Sequence, residues 1–506
     1  MGNATHQAVC IRIDPRAAAG GLQAQIYVAI RRAILDGVLT PGAQLLSSRA
    51  LAEDLGVSRT TTLLAYEQLQ AEGYLQARHG SGTFVASSLP DDLPQTVVVL
   101  PGATPKHPPL SRRGALLADV PAAARRLSGP PRAFRLGIPA LDLFPMKRWA
   151  QLVARRLRSA TLAHLDYTYA AGIPALREAI ADHVRRTRGA RCSPDQVIVV
   201  AGAQRALEFI STVLLDPGQN VWVEEPGYPG MRAALLACGA RIRTVPVDDD
   251  GLMVERLSRL APAARLGYVT PSHQFPTGVP MSLARRLALL RWAAQARAWI
   301  VEDDYDSEFR YGSRPIPCLQ GLDTDGRVIY VGTFSKALFP SLRLGFLIVP
   351  GDLHERLVRV RRATDLHPPV IDQLVLADFI NDGHFERHIR RMRAVYHGRL
   401  EALHAAATRH CAGVLQLRPT HTGLHAVADL TSVDAAVVTE EAFARGVEVM
   451  PISEYAAGRQ PVTNGLMIGF AAVREEAMDK GMELLAAALE ATSQIDVGRG
   501  VRTARR

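Results

Sequence analysis

Lysine is scarce in this chain: four lysines (Lys106, Lys147, Lys336 and Lys480) stand against 55 arginines among 506 residues. An amine can lose its proton and attack a carbonyl, which a guanidinium cannot do. Lys336 has the richest setting. In VGTFSKALFPSLRLGF (331–346), Thr333 and Ser335 precede it and Arg343 follows seven residues later. Hydroxyls and a guanidinium around an amine suit a Schiff base to a phosphorylated aldehyde, with the amine on the carbonyl and the other groups on the phosphate. EDDYDSEFRY (302–311) follows the apolar run Ala298–Val301 and puts carboxylates where α/β sheets place ligands. A carboxylate there can pair with a protonated pyridine nitrogen, and a phenol two residues on can reach a ring hydroxyl. GAQRAL (202–207) follows the run Val197–Val200 and reads as a glycine turn opening a helix, a phosphate cradle of backbone N–H groups. EEPGYPG (224–230) offers Tyr228 to cover a ring face. Singly, each stretch has an ordinary explanation: a surface lysine, an acidic helix start, a common βα turn, a Pro-Gly turn with a packed tyrosine.

A second group of residues suits nucleic acid. LGVSRTTTLLAYEQLQAEGYL (55–75) reads as a helix end, a tight turn at Gly56-Val57, and a helix capped by Ser58. Arg59, Thr60 and Thr61 fall in the first turn of that helix, pointing outward, with Leu63, Tyr66 and Leu69 expected inward. Hydroxyls and free N–H groups there suit phosphate oxygens and base edges. Upstream, residues 23–37 carry Ile26, Ile30, Ala33 and Ile34 on one helical face, and Ser48 is expected to cap the next helix. Downstream, Tyr74-Leu75, Arg78-His79 and GSGTFV (80–85) read as a β-hairpin whose glycine tip can approach a sugar-phosphate backbone.

These residues need three kinds of support, and the composition changes accordingly. Residues 20–87 have helical periodicity followed by the hairpin. Residues 88–132 are rich in proline and show little periodicity, as expected of an extended, partly stiff linker. Residues 133–495 alternate apolar strands with amphipathic helices, the pattern of an α/β domain with a largely parallel sheet. Residues 496–506 are Gly/Arg-rich and expected to fray. Five dispersed cysteines fit neither a disulfide framework nor a zinc site, and no metal is expected. No apolar run has a membrane helix's length and no secretory signal is visible, so a cytoplasmic location is expected. The net charge of +10 is no argument for DNA by itself, because residues 1–87 carry seven arginines against six acids.

Residues 41–85 resemble the winged helix-turn-helix of GntR-family bacterial regulators, with LLSSR standing where the family has LPSSR. The resemblance implies DNA contacts at Arg49, Ser58, Arg59, Thr60, Thr61 and Tyr66 and at the wing residues Gly80, Ser81 and Gly82. Residues 133–490 resemble fold-type I pyridoxal-phosphate enzymes of the class I/II aminotransferase type, with a smaller C-terminal α/β subdomain. There Lys336 corresponds to the lysine that holds pyridoxal 5′-phosphate, Asp303 to the pyridine-nitrogen partner and Tyr305 to the ring-hydroxyl donor. Arg343, Thr333, Ser335, Ala203 and Gln204 match the phosphate contacts, and Tyr228 the stacking aromatic. Tyr167 is similar to the tyrosine that reaches the neighbouring subunit's phosphate, with Tyr169 close by. Two positions depart from the pattern. Phe275 in PSHQFPTG (271–278) replaces an asparagine, and Met467 in GLMIGF (465–470) replaces the arginine that clamps a substrate carboxylate; Arg459 and Arg474 are candidate substitutes. The combination, with FRLGIPALDLFPMKRW (134–149), resembles the MocR subgroup of GntR regulators. That resemblance implies a multidomain transcription regulator, homodimeric, that binds operator DNA and responds to an amine or amino-acid effector or to pyridoxal phosphate itself. The alternative is a working aminotransferase with a fused DNA-binding domain.

Overall fold

The structure, a computed structural model, describes residues 21–78, 81–90, 110–120, 132–311, 316–457 and 463–503. It divides into two compact units, residues 1–108 and 109–506.

The first unit holds α1 (Leu22–Leu35), α2 (Ser48–Leu55) and α3 (Arg59–Ala71), followed by a hairpin of β1 (Leu75–Arg78) and β2 (Gly82–Val85). α1 buries Ile26, Ile30, Ala33 and Ile34, the face its periodicity marks. The cap of α2 is Ser47, not Ser48: the Ala50 N–H donates to Ser47 Oγ at 3.2 Å, and Ser48 is already helical. α2 ends at Gly56 with φ +66°, and Ser58 caps α3 by accepting from the Thr61 N–H at 3.2 Å. Leu63 is 39% exposed rather than inward. The helical period puts Thr62, Ala65, Tyr66 and Leu69 on the inner face instead, and the Thr62 hydroxyl donates to the Ser48 carbonyl at 2.7 Å. Each fully buried aliphatic side chain of this core contributes about 1.5–3 kcal/mol, which is what stabilises so small a unit.

The second unit opens within the stretch expected to be extended linker. Residues Arg112–Ala118 form α4, capped by Ser111 Oγ on the Gly114 N–H at 3.0 Å and packed against the helix Pro229–Ala237. The main sheet has eight strands: β3 (Val197–Val200), β4 (Asn220–Glu225), β5 (Arg241–Asp248), β6 (Gly251–Leu252), β7 (Leu266–Val269), β8 (Trp299–Asp304), β9 (Val328–Thr333) and β10 (Gly345–Ile348). Their order is β3-β10-β9-β8-β7-β4-β5-β6. The interior pairs β4–β5, β4–β7, β7–β8 and β8–β9 are parallel, whereas β10 runs antiparallel to both β3 and β9. β3, β7, β9 and β10 are buried at every residue, as continuous apolar strands covered on both faces must be. A second, antiparallel sheet joins β11 (Leu415–Leu417), β12 (His425–Leu430), β13 (Met450–Pro451) and β14 (Gly465–Gly469) in the order β11-β12-β14-β13. The last helix, Glu475–Thr503, continues through residues expected to fray after 495. Cys238, Cys318 and Cys411 are buried free thiols and Cys192 is half-buried.

Candidate functional site

β8 extends through Glu302, Asp303 and Asp304, so the acidic run finishes a strand and does not begin a helix. Alternation sends Asp303 to one face and its neighbours to the other. Glu302 accepts from the backbone N–H groups of Leu319 and Gln320 at 2.7 and 2.9 Å. Asp304 accepts from Arg188 at 2.9 Å and from the Tyr330 hydroxyl at 2.5 Å. Both are therefore structural. Asp303 and Asp304 both leave Oδ1 buried with no hydrogen-bond partner, but the other oxygen of Asp304 is paired with Arg188, whereas Asp303 Oδ2 accepts only from the neutral Tyr268 hydroxyl, at 2.7 Å, and lies on the face that feels the charge of Lys336. Burial pushes the Asp303 carboxyl up to about 7, opposed by the Tyr268 hydrogen bond and the positive charge of Lys336. An orphaned carboxylate oxygen is costly, and a protonated ring nitrogen is the kind of donor that would satisfy it.

β9 delivers Thr333 and the turn carrying Ser335 and Lys336. The Ser335 N–H donates to Thr333 Oγ1 at 3.2 Å, and Lys336 Nζ donates to the Gly137 carbonyl at 2.8 Å. Gly137 has φ +70°, and a Cβ there would lie 2.6 Å from Nζ, so the FRLGIP stretch closes tightly over the amine. Arg343, in the left-handed region at φ +51°, donates to the Ala201 carbonyl at 3.3 Å. Its guanidinium lies against Gly202, where a Cβ would meet the guanidinium carbon at 3.2 Å. Ala203 and Gln204 open the helix Ala203–Leu214, whose first-turn N–H groups have no helical partner. The Gln204 side chain is occupied otherwise: it donates to the Gly230 carbonyl at 2.8 Å and accepts from the Tyr228 hydroxyl at 3.4 Å. The β3–β10–β9 pairings thus gather Lys336, Thr333, Ser335, Arg343, Ala203 and Gln204 at one end of the sheet. Tyr167 and Tyr169 do not join them within the chain; they are 80% and 60% exposed, beside the exposed Leu162 and Leu165.

Four residues of the site escaped the sequence reading. The Tyr305 hydroxyl lies 3.0 Å from Nδ1 of His273, and that same nitrogen is 3.0 Å from Oδ2 of the buried Asp306. His425 of β12 packs on His273 with ring centroids 4.8 Å apart, and one donor atom from each of His273, Asp306 and His425 falls within 4.8 Å of the others. Tyr268, the Asp303 partner, sits on the neighbouring strand β7. Asp306 carried a signal, lying three residues past Asp303 in the same acidic run, and His273 stood in the PSHQFPTG turn; Tyr268 and His425 had none. Phe275 of that turn packs edge-on against Tyr228, Tyr305 and Tyr455 at 5.7, 6.0 and 5.0 Å. Gln274 secures the turn by donating to the Pro226 carbonyl at 2.9 Å and to Glu224 at 3.2 Å. Met467 is fully buried in β14 among Val427, Met450, Ile452 and Tyr455. A thioether there gives a carboxylate no ion pair. Arg474 is paired with Asp142 at 3.0 Å, and Arg459 lies outside the described residues.

In the first unit, Arg59 and Thr60 are exposed at the start of α3, and Thr61 is half-buried with its hydroxyl 2.7 Å from Ser58 Oγ. Arg49, exposed on α2, pairs with Glu53 at 3.2 Å. Tyr66, expected as a DNA contact, is a core residue: it is 3% exposed, and its hydroxyl donates to the Leu46 carbonyl at 2.9 Å. It fixes the loop before α2. At the wing, Gln44 donates to the Ser81 carbonyl at 2.8 Å and Gly82 takes φ +106°; Gly80 lies outside the described residues.

Comparison with known proteins matches these two sets of features separately. The family "Bacterial regulatory proteins, gntR family" matches residues 22–85, and "Aminotransferase class I and II" matches residues 133–485. A protein of Rhizobium meliloti named probable rhizopine catabolism regulatory protein MocR is 41% identical over 95% of this chain and 97% of its own length. The HTH-type transcriptional regulator TauR of Rhodobacter capsulatus is 38% identical over 76% of this chain and 79% of its own. Among solved structures, LysN, the α-aminoadipate aminotransferase of Thermus thermophilus, superposes with a TM-score of 0.66 at 28% identity, covering 72% of this chain and 93% of that one. That structure is complexed with N-(5′-phosphopyridoxyl)-L-leucine. A gntR-type helix-turn-helix and a fold-type I aminotransferase domain in one chain, aligned nearly end to end with a MocR protein, place this chain in the MocR-type regulators of the GntR family.

Proposed function

We propose that the chain is a pyridoxal-phosphate-dependent transcription regulator that binds operator DNA through its first unit and senses an amine or amino-acid effector, or the cofactor itself, in its second. The observation that carries the reading is Asp303: a buried carboxylate with one unpartnered oxygen, in electrostatic reach of Lys336, in a chain that also bears a DNA-reading module. Pyridoxal phosphate, when bound, supplies an electrophilic carbonyl on an electron-withdrawing ring. Lys336 would hold that carbonyl, Asp303 the ring nitrogen and Tyr305 the ring oxygen. Arg343, Thr333, Ser335 and the N–H groups of Ala203 and Gln204 would hold the phosphate, and Tyr228 would cover the ring. Exposed Tyr167, beside the apolar Leu162 and Leu165, suits a homodimer in which it reaches the partner's site. Arg49, Ser58, Arg59, Thr60, Thr61 and the wing residues Ser81 and Gly82 would contact DNA. An effector acts only if it binds one arrangement of the protein better than another.

The test is a titration of the purified protein with pyridoxal phosphate, following visible absorbance and binding to its own upstream DNA together. Wild type should gain a visible band and change its DNA affinity. Lys336→Ala should lose both; persistence of both in that variant overturns the reading. The intact set of Lys336, Asp303, Tyr305 and Arg343 also favours a second reading, an active aminotransferase. Sustained multiple turnover with a panel of amino donors and oxo-acids would establish it.

A further inference from the structure

We propose that Asp306, acting through His273, fixes the direction in which the Tyr305 hydroxyl proton points. Both are positioning residues for Tyr305, whose task is to donate to the cofactor's ring oxygen; the inference therefore rests on the cofactor reading above. Nδ1 of His273 has two neighbours at once, Asp306 Oδ2 at 3.0 Å and the Tyr305 hydroxyl oxygen at 3.0 Å, with Asp306 Oδ1 at 3.2 Å. Asp306 and His273 are 1% and 3% exposed, so water does not arbitrate. An imidazole nitrogen carries either a proton or a lone pair, and an ionised carboxylate only accepts. The close approach of Asp306 therefore requires the proton on Nδ1, whether the ring is neutral or charged. A protonated Nδ1 cannot accept from Tyr305. The Tyr305 oxygen accepts a share of that N–H, and its own proton is left for an acceptor on the side away from His273.

The surroundings enforce this geometry. A Cβ on Gly423 would come within 2.2 Å of the His273 ring and 2.6 Å of Asp306 Oδ2, so the loop before β12 closes directly over the pair. The charged and titratable groups around Tyr305 are Asp303, Asp304, Asp306 and Glu224, with His273 in contact and His425 stacked behind it. None of the others touches Nδ1 of His273. Without Asp306 the ring is free to move its proton to Nε2, and Nδ1 then accepts from Tyr305 and takes its proton out of the site.

The prediction is counter-intuitive: losing the aspartate behind the histidine matters more than losing the histidine. The readout is the pH titration of the visible absorbance of the cofactor-loaded protein. Tyr305→Phe removes the donor and should raise the apparent pKa of the chromophore, because the undonated ring oxygen leaves its conjugated nitrogen more basic. Asp306→Ala should raise it too, by about one pH unit. Simple loss of a negative charge near a protonated chromophore would lower it, so the sign separates positioning from bulk electrostatics. Tyr305→Phe/Asp306→Ala should titrate no higher than Tyr305→Phe alone. His273→Phe keeps the ring and leaves the Tyr305 proton free, so its midpoint should move by less than about half a pH unit. A fall in pKa for Asp306→Ala, full additivity in the double variant, or a midpoint moved by a whole pH unit in His273→Phe overturns the proposal. If Asp306→Ala does not fold, Asp306→Leu, closer in volume and equally unable to accept from Nδ1, takes its place with the same expected rise and the same refuting fall. A wild-type protein that shows no titrating visible band with pyridoxal phosphate would instead overturn the cofactor reading.

Discussion

Asp303→Asn separates what the site costs the fold from what it gives to binding. In the cofactor-free protein, Asp303 is a buried carboxylate whose protonation is pushed up to about 7 from an ordinary 3.8. A raised acid pKa means the folded state prefers the proton. Stability is therefore lost as pH rises from the unfolded value to the folded one, and the loss is complete above it. The raised value then costs the fold about 4 kcal/mol at pH 8, where the carboxyl stays ionised, and about 2 kcal/mol at pH 5, where the folded state takes up a proton instead. Asparagine carries no charge at either pH and still offers an oxygen to the Tyr268 hydroxyl. Cofactor-free Asp303→Asn should thus be more stable than wild type at pH 8, by an upper bound of about 4 kcal/mol, and the margin should halve at pH 5. In a unit of this size that is roughly 3–6 °C in the melting temperature at pH 8. The assay is thermal unfolding at both pH values, with and without pyridoxal phosphate. Wild type should gain melting temperature on cofactor addition, and Asp303→Asn should lose most of that gain, because no carboxylate remains for the ring nitrogen. A variant that melts lower than wild type at pH 8 without cofactor, or keeps the full cofactor increment, refutes the reasoning.

Three further outcomes are expected. Gly423→Ala, with φ +84° and a Cβ 2.2 Å from the His273 ring, should cost about 2–4 kcal/mol in urea unfolding; an unchanged midpoint would show that the loop before β12 yields freely. Arg59→Ala should weaken DNA binding across sequences and lower the slope of log affinity against log salt by about one, and an unaltered slope would remove Arg59 from the interface. Burial holds His388 down at about 4, so its neutral form is favoured in the fold; stability should be full above pH 6.5 and fall by about 3 kcal/mol as pH drops toward 4, a loss that His388→Gln should largely abolish.

The parts of the site that follow from residue type in a local frame were legible in the sequence. Lys336, Asp303 and Gly202-Ala203 each sit where an apolar run ends, and a strand end in an α/β sheet is a place where ligands go. What was not legible depends on which strands lie side by side. Tyr268 precedes Asp303 by 35 residues and meets it only because β7 pairs with β8. His425 arrives from the second sheet altogether. The departures in the first unit are of a different kind. Ser47 and Ser48 are both good caps, and only backbone geometry chooses between them. Leu63 lost its inner position to Thr62, because a threonine that hydrogen-bonds a carbonyl can be buried at a helix crossing. α4 is too short for periodicity to announce and is held by its contact with the helix Pro229–Ala237.

β10 bears on how this protein can change. It lies between β9 and β3, antiparallel to both, with Gly345 opposite Thr333 on one side and Val200 on the other. The connection that carries Ser335, Lys336 and Arg343 is therefore closed at both ends by strands in fixed register. One residue added or removed there either drags the amine away from the guanidinium or turns over every side chain of β10. Variation in what this site recognises has to be written in side chains, at positions such as Phe275 and Met467. Insertions and deletions are a resource open to exposed turns, and the site has surrendered it.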